Sequence, residues 1–149
     1  MKVVDGHKFE EKEKEQIADL IYDSFVQKFG VIKNDKTKTC NILIKCLKYE
    51  MGLYLMNEDS DIVGVIGTVT NRKSFYKIHL KYFREEYALI KALVMYFLFI
   101  IETRINVKDD EVYIVALAIK KDYRGKGFAG KLMDEIFSKY SMENTKKVV

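Results

Sequence analysis

The sequence predicts a single α/β domain, and three stretches carry that expectation. Residues 52–71, GLYLMNEDSDIVGVIGTVTN, hold two runs of β-forming residues around the polar turn Asn57–Asp61, the pattern of a hairpin. Residues 111–119, EVYIVALAI, are a continuous apolar run rich in β-branched side chains, as in a strand buried on both faces. Directly after it, Phe128, Leu132, Met133, Ile136, Phe137 and Tyr140 follow a 3.6-residue period, which predicts an amphipathic helix over 127–140. The 149 residues suffice for one domain with one core, spanning 1–149. No repeat, low-complexity tract or proline marks a linker.

The other elements follow from periodicity and stop signals. Ile17, Leu20, Ile21, Phe25 and Phe29 share helical spacing, so a first helix is expected from Phe9 to Phe29, with Gly30 as its stop. TKTCNILIKCLKYE, residues 37–50, reads as a second helix capped by Thr37 or Thr39. Asp59, Ser60 and Asp61 resemble the start of a calcium loop, but its glycine and later glutamate are misplaced, which leaves a plain turn. Residues 75–105 read as one or two helices, although Leu93–Ile101 alone suits a strand. ALIKALVMYFLFII, residues 88–101, is only 14 residues long and contains Lys91. A bilayer span needs about 20 apolar residues, so a buried helix is expected, and an apolar face meeting a partner is the second choice. Asp109 and Asp110 mark a turn.

Composition narrows the function classes. Hydrophobic residues make up 48% and charged residues 32%, the balance of a globular chain. A net charge of +4 suits an anionic ligand, but it is too small and too dispersed for nucleic acid. The N-terminus has no signal-peptide core. Cys40 and Cys46 lack the spacing and the second ligand pair of a metal site, so they read as reduced, partly buried thiols in a cytoplasmic protein without a metal. His7 and His79 lie far from any candidate site and read as surface residues.

The chemistry concentrates in DYRGKGFAGKL, residues 122–132, between the apolar strand and the amphipathic helix. Glycines there allow close backbone approach, and the first helical turn presents unpaired N–H groups at the positive end of the helix dipole: an anion site. Two anions compete. A triphosphate loop needs G-x-x-x-x-G-K and then Ser or Thr. Gly125 to Lys131 satisfy the first seven positions, but Leu132 offers no hydroxyl to magnesium. The other pattern is Arg/Gln-x-x-Gly-x-Gly/Ala, which Arg124-Gly125-Lys126-Gly127-Phe128-Ala129 satisfies in full.

LAIKKDYRGKGFAGKLMDEIF, residues 117–137, thereby resembles the acetyl-coenzyme A motif of the GNAT superfamily of N-acetyltransferases. The spacer carries Lys120 and Lys121 where such families commonly have proline. The resemblance implies a GNAT-like mixed central β-sheet flanked by helices. It implies that the backbone of Leu117, Ala118 and Ile119 meets the pantetheine arm. It implies that the N–H groups from Gly125 through Lys126, Gly127, Phe128 and Ala129 to Gly130 hold the pyrophosphate, with Arg124 and Lys126 adding charge. The reaction implied is acetyl transfer from acetyl-CoA, a cosubstrate, to a primary amine on a small molecule or peptide. The alternative is a non-catalytic acyl-CoA-binding or assembly module of the same fold.

For the base, the resemblance points to the motif strand a few residues ahead of its LAI segment, where this chain has Tyr113. A phenol is a poor base near neutrality. Glu111 lies two residues earlier on the same strand face and is preferred, acting through water. The family continues past the motif helix with a strand, a helix and a hairpin, whereas this sequence ends at Val149. The C-terminal part is thus short or missing, and Val148 and Val149 could only begin the next strand. Tyr140 and the other tyrosines cannot be assigned the role of protonating the leaving thiolate. A longer natural chain or a homodimer, contacting through Leu93–Ile101 or the open strand edge, is the expectation.

Overall fold

The computed structural model describes residues 1–6, 8–25, 35–142 and 147–148. His7, the helical positions beyond Phe25, the stop at Gly30 and Val149 lie outside the described residues. Among the described residues five strands form one sheet in the order of the chain: β1 (Lys2–Asp5), β2 (Gly52–Met56), β3 (Ile62–Val69), β4 (Glu111–Ile119) and β5 (Lys147–Val148). The first four pair antiparallel, and β5 pairs parallel with β4, so the sheet is mixed, as expected. The polar N-terminus gave no strand signal, yet β1 pairs Lys2–Asp5 along Met56–Leu53. Four residues are too few for a visible alternation.

Helices cover both faces. On one side lie α1 (Glu11–Phe25), α2 (Lys36–Cys46), α3 (Leu80–Arg84) and α4 (Leu89–Thr103), with Ile17, Ile21, Ile42, Leu43, Phe83 and Met95 in one core. On the other side α5 (Phe128–Met142) packs Leu132, Ile136 and Tyr140 onto Leu53, Leu55, Ile66 and Val112. All eight residues of β3 are buried, as its position between two strands and two helix layers requires.

Several expectations need correction. The second helix ends at Cys46 rather than at residue 50. Leu47 leaves the helix to bridge Tyr76, and Tyr49–Met51 form a short 3-10 turn. Its cap is neither Thr37 nor Thr39 but Asp35, whose carboxylate accepts the Lys38 N–H at 3.0 Å. Residues 93–101 are helical within α4, not a strand. Nor is that helix buried. It sinks Ala92, Met95 and Phe99 against Phe83 and leaves Ile90, Val94, Phe97 and Ile101 in solvent. The short α3 is too narrow to cover more than one face of a 15-residue helix.

The turn Asn57–Asp61 is a plain turn docked on α1. Asp61 takes hydrogen bonds from Gln16 (2.8 Å) and Lys12 (2.9 Å), which hold its carboxyl below the usual range, and Gln16 Oε1 accepts the Ile62 N–H at 3.0 Å.

Candidate active site

β4 organises the site. Its pairing with β3 slips between Gly67–Ala116 and Thr68–Ile114, which makes Val115 the extra residue of a bulge. The side-chain contacts record the same slip. Leu117 and Ile119 pack with α5, and so do Val112 and Ile114, whereas Val115, Ala116 and Ala118 pack with the opposite core. Without a bulge, strict alternation would keep positions 112 to 118 of even number on one side. β4 was expected to be buried on both faces. Only Val112, Ala116, Ala118 and Ile119 are fully buried. Among the described residues β5 pairs with β4 only at Glu111 and Val112, so the far edge of β4 has no strand beside it from Tyr113 onward. That is where the resemblance places the pantetheine slot.

Lys120 donates its N–H to Val63 O at 2.8 Å, and the register pairs Ala118 with Val65. In an antiparallel ladder alternate residues turn both backbone groups to the same neighbour. Lys120, Ala118 and Ala116 therefore face β3, while Ile119 and Leu117 face the open edge. Of the three strand residues expected to meet a ligand through their backbone, the geometry presents Leu117 and Ile119 and turns Ala118 away. The Ile119 carbonyl is already engaged, because Arg124 Nε donates to it at 2.8 Å.

Beyond β4 the chain makes a 3-10 turn at Lys121–Tyr123 and then the glycine loop. Gly125 (φ 73°) and Gly127 (φ 83°) hold left-handed backbone, which explains why glycine is needed at these two places. A Cβ added at Gly125, Gly127 or Gly130 would meet nothing within 4 Å. The loop is thus shaped by torsion rather than by packing, and open space lies in front of it. Lys131 N–H reaches back to Gly127 O at 3.1 Å, and the N–H groups ahead of it are the unpaired first turn of α5. Lys126 Nζ lies 5.6 Å from the centre of the Tyr123 ring, a cation held close to this turn. Phe128 is half-buried against Tyr123 and the core under α5.

The sequence marks Asn57 only as a turn residue. Its side-chain amide donates to Tyr123 OH at 3.1 Å and so ties the β2–β3 turn to the glycine loop. A partner 66 residues away leaves no trace in local periodicity.

Glu111 opens β4. Its carboxylate lies 3.5 Å from the Lys108 N–H, and its own N–H bonds to Lys108 O. By alternation Glu111 and Tyr113 share the face of Val115, away from α5. At about 3.3 Å per residue, Tyr113 stands roughly 13 Å and Glu111 roughly 20 Å from Leu117 along the strand. His79 is exposed ahead of α3, its ring 5.5 Å from Tyr82. The cysteines are free, and burial pushes Cys40 up to about 11 and Cys46 up to about 12, so neither is a ready nucleophile. Tyr140 is buried, with its hydroxyl 2.9 Å from Thr68 Oγ1, a structural role remote from the glycine loop. Among the described residues no three His, Cys, Asp or Glu side chains cluster as a metal site would require, and no helix is long and apolar enough to cross a membrane.

The sequence matches the acetyltransferase (GNAT) family over residues 15–148. No curated protein matches it. Among solved structures, an N-acetyltransferase from Staphylococcus aureus Mu50 superposes with a TM-score of 0.64 at 21% identity, over 93% of this chain and 76% of that one. A second, described only as an acetyltransferase, gives 0.55 at 12% identity, over 91% and 72%. A GNAT-family acetyltransferase from Staphylococcus aureus Mu50 gives 0.53 at 14% identity, over 97% and 68%. At these identities the structures speak for the fold.

Proposed function

The chain belongs to the GNAT family and is an acyltransferase by that membership; we propose that it moves an acetyl group from acetyl-CoA to a primary amine. The observation that carries this reading is the run from β4 to α5. Two left-handed glycines open onto empty space at a helix N-terminus, beside a strand edge that offers Leu117 and Ile119. The first-turn N–H groups and Lys126 suit a pyrophosphate, and the strand edge suits the amide groups of a pantetheine arm. Arg124 acts first on the protein. By holding Ile119 O it fixes where the strand ends and the loop begins.

In the proposed reaction the amine lone pair attacks the thioester carbonyl carbon. The new C–N bond forms, the carbonyl electrons move onto oxygen, and an N–H at the open edge of β4 stabilises that charge. When the carbonyl re-forms, the C–S bond breaks and the sulfur leaves as thiolate with its electron pair. The amine proton must depart. Tyr113 and Glu111 share one face of β4, and at roughly 20 Å from Leu117 Glu111 would act through a chain of waters. Positioning supplies most of the remaining acceleration. Two free thiols accord with a reducing, cytoplasmic setting for this reaction.

The reading is tested by following thiol release from acetyl-CoA with a panel of polyamines, aminoglycosides, amino acids and peptides. Release that depends on an added amine, with the acetylated amine seen by mass spectrometry, supports it. Tight coenzyme A binding with no transfer to any amine contradicts it.

A further inference from the structure

We propose that the exposed face of α4 is the contact between two copies of this chain, packed as an antiparallel helix pair about a two-fold axis. The face consists of Ile90 (79% exposed), Val94 (52%), Phe97 (59%), Leu98 (38%) and Ile101 (70%). At 100° per residue these five fall within an arc of about 100°, and no other residue of the helix lies inside it. Lys91, at the rim, has its ammonium 4.8 Å from the Tyr87 ring, so it lies against its own subunit rather than across the face. At roughly 200 Å² for a fully exposed large side chain, the stripe presents on the order of 600 Å², the upper end of what a monomer usually leaves bare. A standard interface takes about 800 Å² from each partner, and the stripe alone supplies roughly three quarters of that.

The spacing favours a second copy over an unrelated protein. Ile90, Val94, Phe97 and Ile101 are separated by four, three and four residues, which reads the same in both directions. An antiparallel copy therefore sets Ile90 against Ile101 and Val94 against Phe97 at both ends, as a two-fold contact demands. Burying these side chains also removes the aggregation hazard of an open apolar stripe.

Sedimentation equilibrium over a concentration series up to ~100 µM tests this, because a standard-size contact should dimerise well below that level. The expected result is a dimer whose dissociation constant rises at least ~10-fold in Phe97→Lys. Phe97 is exposed, so the fold should survive, and circular dichroism checks that it does. A Val94→Cys, Phe97→Cys double variant should cross-link between subunits under mild oxidation. A folded chain that stays monomeric at the top concentration overturns the proposal, even if it binds neutral phospholipid vesicles. So does a dimer unaffected by Phe97→Lys.

Discussion

Arg124 reaches back five residues and donates through Nε to the carbonyl oxygen of Ile119, at 2.8 Å. The residue that opens the Arg-x-x-Gly-x-Ala motif thus grips the last residue of β4. We expect Arg124→Ala to weaken coenzyme A binding about 10-fold or more through loss of a charged hydrogen bond and a nearby cation. Arg124→Lys should recover only part of this, because an ammonium cannot hold Ile119 O and also present a planar fork. Titration calorimetry on both variants checks the order.

The glycines of the loop should separate by torsion. Gly127 sits at φ 83°, so Gly127→Ala should lower stability by about 1–2 kcal/mol in urea unfolding, although there is room for the methyl group. Gly130, inside α5 and also facing open space, has no such torsion. Gly130→Ala should raise stability by about 0.4–1 kcal/mol. Equal effects at the two positions would contradict the torsional account.

Tyr140 is structural here. Thr68 Oγ1 spends its proton on Met51 O at 2.8 Å, so the Tyr140 hydroxyl is the donor to Thr68. Tyr140→Phe should cost about 1 kcal/mol of stability and leave turnover unchanged. A large loss of turnover at wild-type stability would assign this tyrosine to the chemistry.

Glu111→Gln should lower turnover near neutral pH by about 100-fold while coenzyme A affinity holds, if this carboxylate relays the amine proton. A pH–rate profile matching that of the unmodified chain would show that the proton leaves by another route.

Stability should fall in alkali. Burial raises Cys46 from 9.0 to about 12 and Cys40 to about 11, and it raises Tyr54 as well. The folded chain keeps these protons while the unfolded chain loses them. Their contribution is therefore complete below about pH 9 and is lost as pH rises toward 12. The urea midpoint should hold up to about pH 9 and drop from there toward about pH 12, less steeply in Cys46→Ala.

What the sequence made legible was local. The hairpin, the apolar strand and the helix after it are short-range patterns of period 2 or 3.6, and the glycine loop is a contiguous run. What it hid depends on partners far along the chain. The strand at Lys2–Asp5 exists because β2 offers it an edge. The bulge at Val115 is set by register against β3, and it cannot be seen in a run where every residue is apolar. Asp35 outranks Thr37 and Thr39 as a cap because only its side chain reaches the Lys38 N–H. The exposure of α4 was hidden for the opposite reason, since a helix apolar on most of its circumference reads as buried until its neighbours are known.

The account rests on the glycine loop as an anion site for coenzyme A, and one measurement tests it most directly: calorimetric titration of coenzyme A into the unmodified chain and into Gly127→Glu. The substitution puts a carboxylate where the pyrophosphate should sit, in space that is otherwise open. The account predicts saturable binding to the unmodified chain and a loss of at least ~100-fold in the variant, with its fold intact by circular dichroism. Undiminished coenzyme A affinity in a folded Gly127→Glu variant would contradict it.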